Sequence, residues 1–315
     1  MVVKPKNEIL ESALNKYFSL FDDTRRLVFE FIARREHSAE ILILLCARLD
    51  ALASDAAKDG TPSRRAFTSF ITAYGGQRDI FNSVSIADLY YELAFHRWLL
   101  EGMIPAPGRL HIFSRNQEPI VQLLEDAGLP ITLSESKILF DTLLRLCKQE
   151  YRAVPGQRLT KPRIVSPSIF QDLIVKRSRE TRIKKIADNL PKALSPLLET
   201  KKIGNILYRR FRSDAIHGAT VILDSKRFLS ETEIYWKPLQ SDYYGPFELI
   251  EFPATFLLSL LDNCITTYRA NLTAKGKVPP SIHFYAFSDD VFRSLDLFDH
   301  DLLAEGGRVR FRMDR

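Results

Sequence analysis

Glycine is scarce in this chain of 315 residues: 13 are present, where about 22 would match the usual ~7%. That scarcity argues against folds that wrap phosphates in glycine-rich loops, and no Walker, Gly-x-Gly-x-x-Gly or Gly-x-Ser-x-Gly motif occurs. Cysteine is also sparse. Cys46, Cys147 and Cys264 are odd in number, far apart and set among apolar neighbours. A disulfide framework or a zinc site needs close pairs, so all three read as reduced core thiols. Long hydrophobic runs are missing. The longest, Ile41–Ala47 and Phe256–Leu261, fall far short of the roughly 20 residues of a spanning helix. Met1–Leu10 has no apolar stretch of the signal-peptide kind. A cytoplasmic protein with no membrane association is expected. Paired histidines four apart are absent, and Glu36, His37 and Glu40 include a single imidazole, so neither a metal nor a cofactor is expected.

What is present is an ordinary globular composition, 45% apolar and 27% charged. The length suits one large domain or two smaller ones. Apolar residues recur at helical spacing through Thr24–Lys58, with a break near Glu36–Ser38 where Ser38 is placed to cap a second helix. Ser63–Tyr74, ended by Gly75-Gly76, and Ser85–Leu100 read as further helices. Ser134 is placed to cap a helix over Lys137–Tyr151. Ile169–Leu190 and Leu198–His217 read as continuous helices, and Ala254–Arg269 as a strong one. Glu231–Phe252 reads as a strand pair around a turn near Asp242–Pro246. The expected fold is mainly α, a helical bundle with a small β element near 231–252. Its parts are a helical region over 1–100, an irregular or helical insertion over 101–168, a basic helix, motif helix, strand pair and closing helix over 169–275, and an extension over 276–315. The helices at Arg35–Asp55, Ile203–His217 and Ala254–Arg269 are expected to pack together.

The formal charge of +6 is unevenly spread. Tyr151–His217 holds sixteen basic and five acidic residues, a balance of +11 that leaves −5 for the remainder. Lys176, Arg177, Arg179, Arg182, Lys184, Lys185 and Arg209 are candidates for contact with the phosphates of RNA or another single-stranded nucleic acid. A solvated helix face is the plainer reading of the same run. The run carries neither Trp nor Phe opposite its charges, as a membrane-surface helix would.

The most informative stretch closes that basic segment: Tyr208-Arg209-Arg210-Phe211-Arg212-Ser213-Asp214-Ala215-Ile216-His217-Gly218. It resembles the Arg-x(4–6)-His motif of the HEPN superfamily of helical domains, many of which are ribonucleases. Arg212 and His217 match with four residues between them, Arg210 and His217 with six. Gly218 after the histidine and the polar pair Ser213-Asp214 after the arginine also resemble the pattern. So do the helices around Arg35–Asp55 and Leu261-Asp262-Asn263-Cys264. Ser213 stands where relatives often have Asn, and Ala219 replaces the Tyr of antitoxin-modified members. Arg293 and His300 match the spacing too, but among Asp296, Asp299 and Asp301, which repel a phosphate backbone.

The residue types suit RNA cleavage without metal. A histidine near neutrality can take the ribose 2′-OH proton, and an arginine can grip a phosphate with two parallel hydrogen bonds. At about 100° per residue a straight helix puts Arg210 on the face of His217, with Asp214 between them, whereas Arg212 lies roughly 140° away. The family pattern favours Arg212, and a kink near Ser213 would reconcile the two. Asp214 is placed to orient the imidazole or pair with an arginine. The resemblance implies a composite site across a homodimer and a role in prokaryotic defence or as a toxin. The alternatives are a non-catalytic HEPN-like module that binds nucleic acid or a protein, and a His217 that merely caps a helix.

Overall fold

The computed structural model describes residues 6–58, 60–100, 124, 126–129, 133–150, 164–213, 225–241 and 245–279. It is mainly α, with two small antiparallel strand pairs. The chain divides into two compact units, each assembled from non-consecutive stretches.

The first unit comprises Met1–Phe81, Leu207–Glu233 and Phe252–Arg315. Its helices are α1 (Lys6–Arg34), α2 (Ser38–Ala56), α3 (Ser63–Tyr74), the start of α4 (Arg78–Asn82), α10 (Ser225–Ser230) and α11 (Ala254–Lys275). A π-helical segment, Leu207–Ser213, belongs to the same unit. In α1, Leu10, Ala13, Leu14, Tyr17 and Phe21 are buried, a stripe spaced three and four apart. α2 buries Ile41, Leu42, Leu45, Cys46, Leu49, Leu52 and Ala53. It packs against α1, α3, α11 and the π-helical segment, as expected for the helices around 35–55, 207–213 and 254–269. Each large side chain so buried contributes about 1.5–3 kcal/mol. Tyr268 of α11 anchors an aromatic cluster, with ring centroids 5.2 Å from Tyr74, 5.4 Å from Phe70 and 6.3 Å from Phe18.

The break between α1 and α2 is built by backbone geometry. Arg35 has φ 57°, the Arg35 N–H donates to the Ile32 carbonyl, and the Glu36 N–H donates to the Phe31 carbonyl. This is a Schellman turn with an arginine at the left-handed position where glycine is usual. His37 also has φ 57° and holds the N-cap position without a side-chain cap bond. Ser38 is therefore not the cap. It is the first residue of α2, and its hydroxyl donates to Ser225 Oγ at 3.2 Å. At the other end of the unit, α11 closes with the same turn, and Gly276 stands at the left-handed position.

The second unit comprises Asn82–Ile206 and Ile234–Glu251. It contains β1 (Val84–Ser85), α5 (Ile86–Leu100), α6 (Leu133–Glu150), β2 (Ile164–Val165), α7 (Pro167–Arg179), a 3₁₀ turn (Lys184–Ile186), α8 (Leu190–Thr200), α9 (Ile203–Ile206), β3 (Tyr235–Ser241) and β4 (Gly245–Glu251). α5, α6, α7 and α8 share one apolar core that includes Leu93, Phe140, Leu143, Phe170, Ile174 and Leu194. β3 and β4 form a hairpin in register from Tyr235↔Glu251 to Ser241↔Gly245, the strand pair expected over 231–252. Two carboxylates lie inside this unit and both are met. Asp88 accepts from the Ser85 hydroxyl at 2.5 Å and from the Ile250 N–H at 3.4 Å. Glu92 pairs with Lys201 at 2.9 Å.

Three expected helices have different bounds. α6 begins at Leu133, so Ser134 lies inside it rather than capping it. The basic stretch over 169–190 is not one helix: α7 ends at Arg179, and a turn and the 3₁₀ segment carry Arg182, Lys184 and Lys185. The stretch over 198–217 is broken at Lys201-Lys202, restarts as α9 and changes winding at Leu207. Positions 214–217 lie outside the described residues. The first break follows from pairing: the Ser85 N–H donates to the Lys201 carbonyl and the Ile203 N–H donates to the Ser83 carbonyl, so this backbone serves β1 instead of a helix.

Candidate functional site

The π-helical segment Leu207–Ser213 carries the arginines of the motif. In such a segment hydrogen bonds run five residues back rather than four, and such turns recur at functional sites. Residues four and five apart then share a face, which is how Leu207, Phe211 and Arg212 are all buried. Aromatic contacts hold the segment in place. Phe211 meets Phe252 edge to face at 4.9 Å, and Tyr208 meets Phe67 of α3 at 5.5 Å. The 100°-per-residue arithmetic that favours Arg210 on a straight helix does not hold here, because the winding departs from α geometry from Leu207 through Ser213.

Arg212 is clamped. Its Nε donates to Asp50 Oδ1 at 3.0 Å and its Nη2 to Asp50 Oδ2 at 2.6 Å, the parallel two-bond geometry that guanidinium and carboxylate favour. The side chains are 10% and 22% exposed, so both charges are largely withdrawn from water. Its guanidinium also lies 5.0 Å from the centre of the Tyr208 ring. Burial by itself would lower the guanidinium's pKa. The hydrogen bonds and charge of Asp50 outweigh it and raise the pKa above the ordinary value. Cys46, one turn before Asp50 on α2, is fully buried, and burial pushes its thiol up to about 12. Arg210 and Arg209 are half-buried on the same segment, and the Arg210 guanidinium lies 5.4 Å from the Phe211 ring centre.

The other expected site residues fall as follows. Asp214 and His217 lie outside the described residues. Lys176, Arg177 and Arg179 are exposed on the last turn of α7, and Arg182, Lys184 and Lys185 are exposed just after it. All six belong to the second unit, and Arg209, Arg210 and Arg212 to the first. Arg179 donates to Asp188 at 3.1 and 2.7 Å, and Arg177 pairs with Glu180 at 3.2 Å. All three cysteines are buried free thiols. Among the described residues no group of three or more His, Cys, Asp or Glu side chains converges as metal ligands. No helix among them is long and apolar enough to cross a membrane.

Asp50 is the functional candidate that sequence reading passed over. A signal existed: it sits four residues after Cys46 on an otherwise apolar helix, where a carboxylate needs a cation from elsewhere in the fold. No family model, curated protein or solved structure matches the chain.

Proposed function

We infer that the chain is an endoribonuclease of HEPN type that cleaves RNA without metal, acting as a homodimer. The observation that carries this reading is the two-point clamp of Asp50 on Arg212, five residues before His217. A cation that must stabilise a phosphorane is useful only if its orientation is fixed beforehand. In the proposed reaction His217 takes the proton of a ribose 2′-OH, and the 2′-oxygen attacks the adjacent phosphorus. The bond from phosphorus to the 5′-oxygen breaks, a proton from an acid returns to that oxygen, and a 2′,3′-cyclic phosphate remains. Arg212, or Arg210 beside it, meets the charge that develops on the phosphoryl oxygens, and Asp214 orients the imidazole. The resemblance adds a setting in prokaryotic defence or as a toxin.

A second reading also has an observation behind it. The charge of Arg212 is already met by Asp50, as suits an internal tie in a non-catalytic module that binds nucleic acid or a protein. End-labelled RNA incubated with the purified chain in EDTA separates the two. The nuclease reading expects cleavage that falls about 10²–10⁴-fold in His217→Ala. It also expects a large loss in Arg212→Lys, which keeps the charge but not the fork. An active His217→Ala protein overturns the mechanism. An inactive wild type that still binds RNA establishes the binding module.

A further inference from the structure

The second unit has a groove of about 710 Å³ between α6 and the turn that follows α7. From α6 it is lined by Ser134, Lys137, Ile138, Asp141 and Arg145, which recur three and four apart and so form one face. From the other side come Glu180, Thr181, Arg182 and Lys184. A smaller recess shares Arg145, Glu180 and Thr181 and adds Arg177. Five cations thus stand against two carboxylates in one concavity. Arg177 is paired with Glu180. Lys137, Arg145, Arg182 and Lys184 make no ion pair among the described residues.

Cations gathered in a concave surface repel one another, and the field they focus attracts a polyanion. We propose that this groove holds the phosphodiester backbone of single-stranded RNA; the proposal rests on the ribonuclease reading above and assigns the strand a binding surface in the second unit. Lys137 and Arg145 are eight residues, about 12 Å, apart along α6. One phosphate cannot bridge them, whereas a chain of phosphates can. No aromatic side chain lines either recess, so bases have nothing to stack on and binding is indifferent to sequence. The groove also divides the basic run that the sequence offers as one patch. Arg182 and Lys184 line it, Arg179 is held by Asp188, and α6 supplies two cations from a distant part of the chain.

The test uses the full-length His217→Ala protein, so that cleavage does not obscure binding, and a fluorescein-labelled uridine 12-mer followed by anisotropy at several salt concentrations. Lys137→Glu/Arg182→Glu in that background is compared with Lys192→Glu/Lys226→Glu, which changes charge equally at exposed positions outside the groove. The groove pair is expected to weaken binding at least tenfold more than the control and to flatten the log–log salt dependence by about 2, roughly 0.9 per lost phosphate contact. Equal weakening by both pairs overturns the groove. Groove variants in the active chain that bind and cleave like wild type overturn it while leaving the nuclease reading intact. Groove-dependent binding by a chain that cleaves nothing sustains the groove and removes the nuclease. Polyglutamate competing as well as RNA assigns the groove to an acidic protein, and no binding at 50 mM salt removes the proposal.

Discussion

Removing either half of the Asp50–Arg212 pair leaves the other as a lone, largely buried ion. Arg212→Ala and Asp50→Ala should therefore each cost roughly 3 kcal/mol, read as a lowered urea midpoint. The Asp50→Leu/Arg212→Met double variant should recover most of that loss, because no unpaired charge remains. Single variants as stable as wild type would show that the clamp is not structural. The thiols give a second expectation. Burial pushes Cys46 and Cys264 up to about 12 from an ordinary 9.0. Between these values the unfolded chain releases thiol protons that the folded chain keeps. Stability should be unaffected by these groups below pH 9 and fall as pH rises from 9 towards 12. Urea melts in reducing buffer at pH 7.5, 9 and 10.5 should show the fall, and Cys46→Ala/Cys264→Ala should lessen it. The burial of the three cysteines is legible from their apolar neighbours. The partner of Asp50 is not, because 162 residues separate it from Arg212 and helical periodicity reports only a face, never what meets it.

Helices with a clean apolar stripe and a glycine or proline stop are legible almost to the residue. α3, α5 and α11 start and, for α3 and α5, end where the pattern places them, and the β3–β4 hairpin turns where Asp242–Pro246 predicts. Elements whose bounds depend on a distant strand or a changed winding are not. Lys201-Lys202 breaks a helical pattern because its backbone pairs with the Ser83–Ser85 stretch. Leu207–Ser213 winds wider because Phe211 and Tyr208 seat against Phe252 and Phe67. The turn after α1 supports a prediction at this scale. Arg35 occupies the left-handed position of a Schellman turn, where an L side chain costs about 1–2 kcal/mol. Arg35→Gly should raise stability by about 1 kcal/mol, seen as a higher melting temperature. A lower melting temperature would show that the Arg35 side chain contributes more than its backbone strain costs.

For the whole chain, the dominant feature is the concentration of positive charge in Tyr151–His217. If about six cations contact phosphates, RNA affinity should fall about 10³-fold between 50 and 200 mM salt, measured by filter binding or anisotropy. Binding that ignores salt would remove every nucleic-acid reading of the chain. The sequence by itself determined the helical character, the hairpin, the burial of the thiols and the placement of charge, because periodicity, turn residues and formal charge are local properties. Only the tertiary structure decided that each unit is assembled from separated stretches, that Arg212 meets Asp50, and that Lys137 and Arg145 face Arg182 and Lys184. Those pairings join positions tens to more than a hundred residues apart. They are fixed by which apolar faces bury one another, a choice that the spacing within any one segment does not contain.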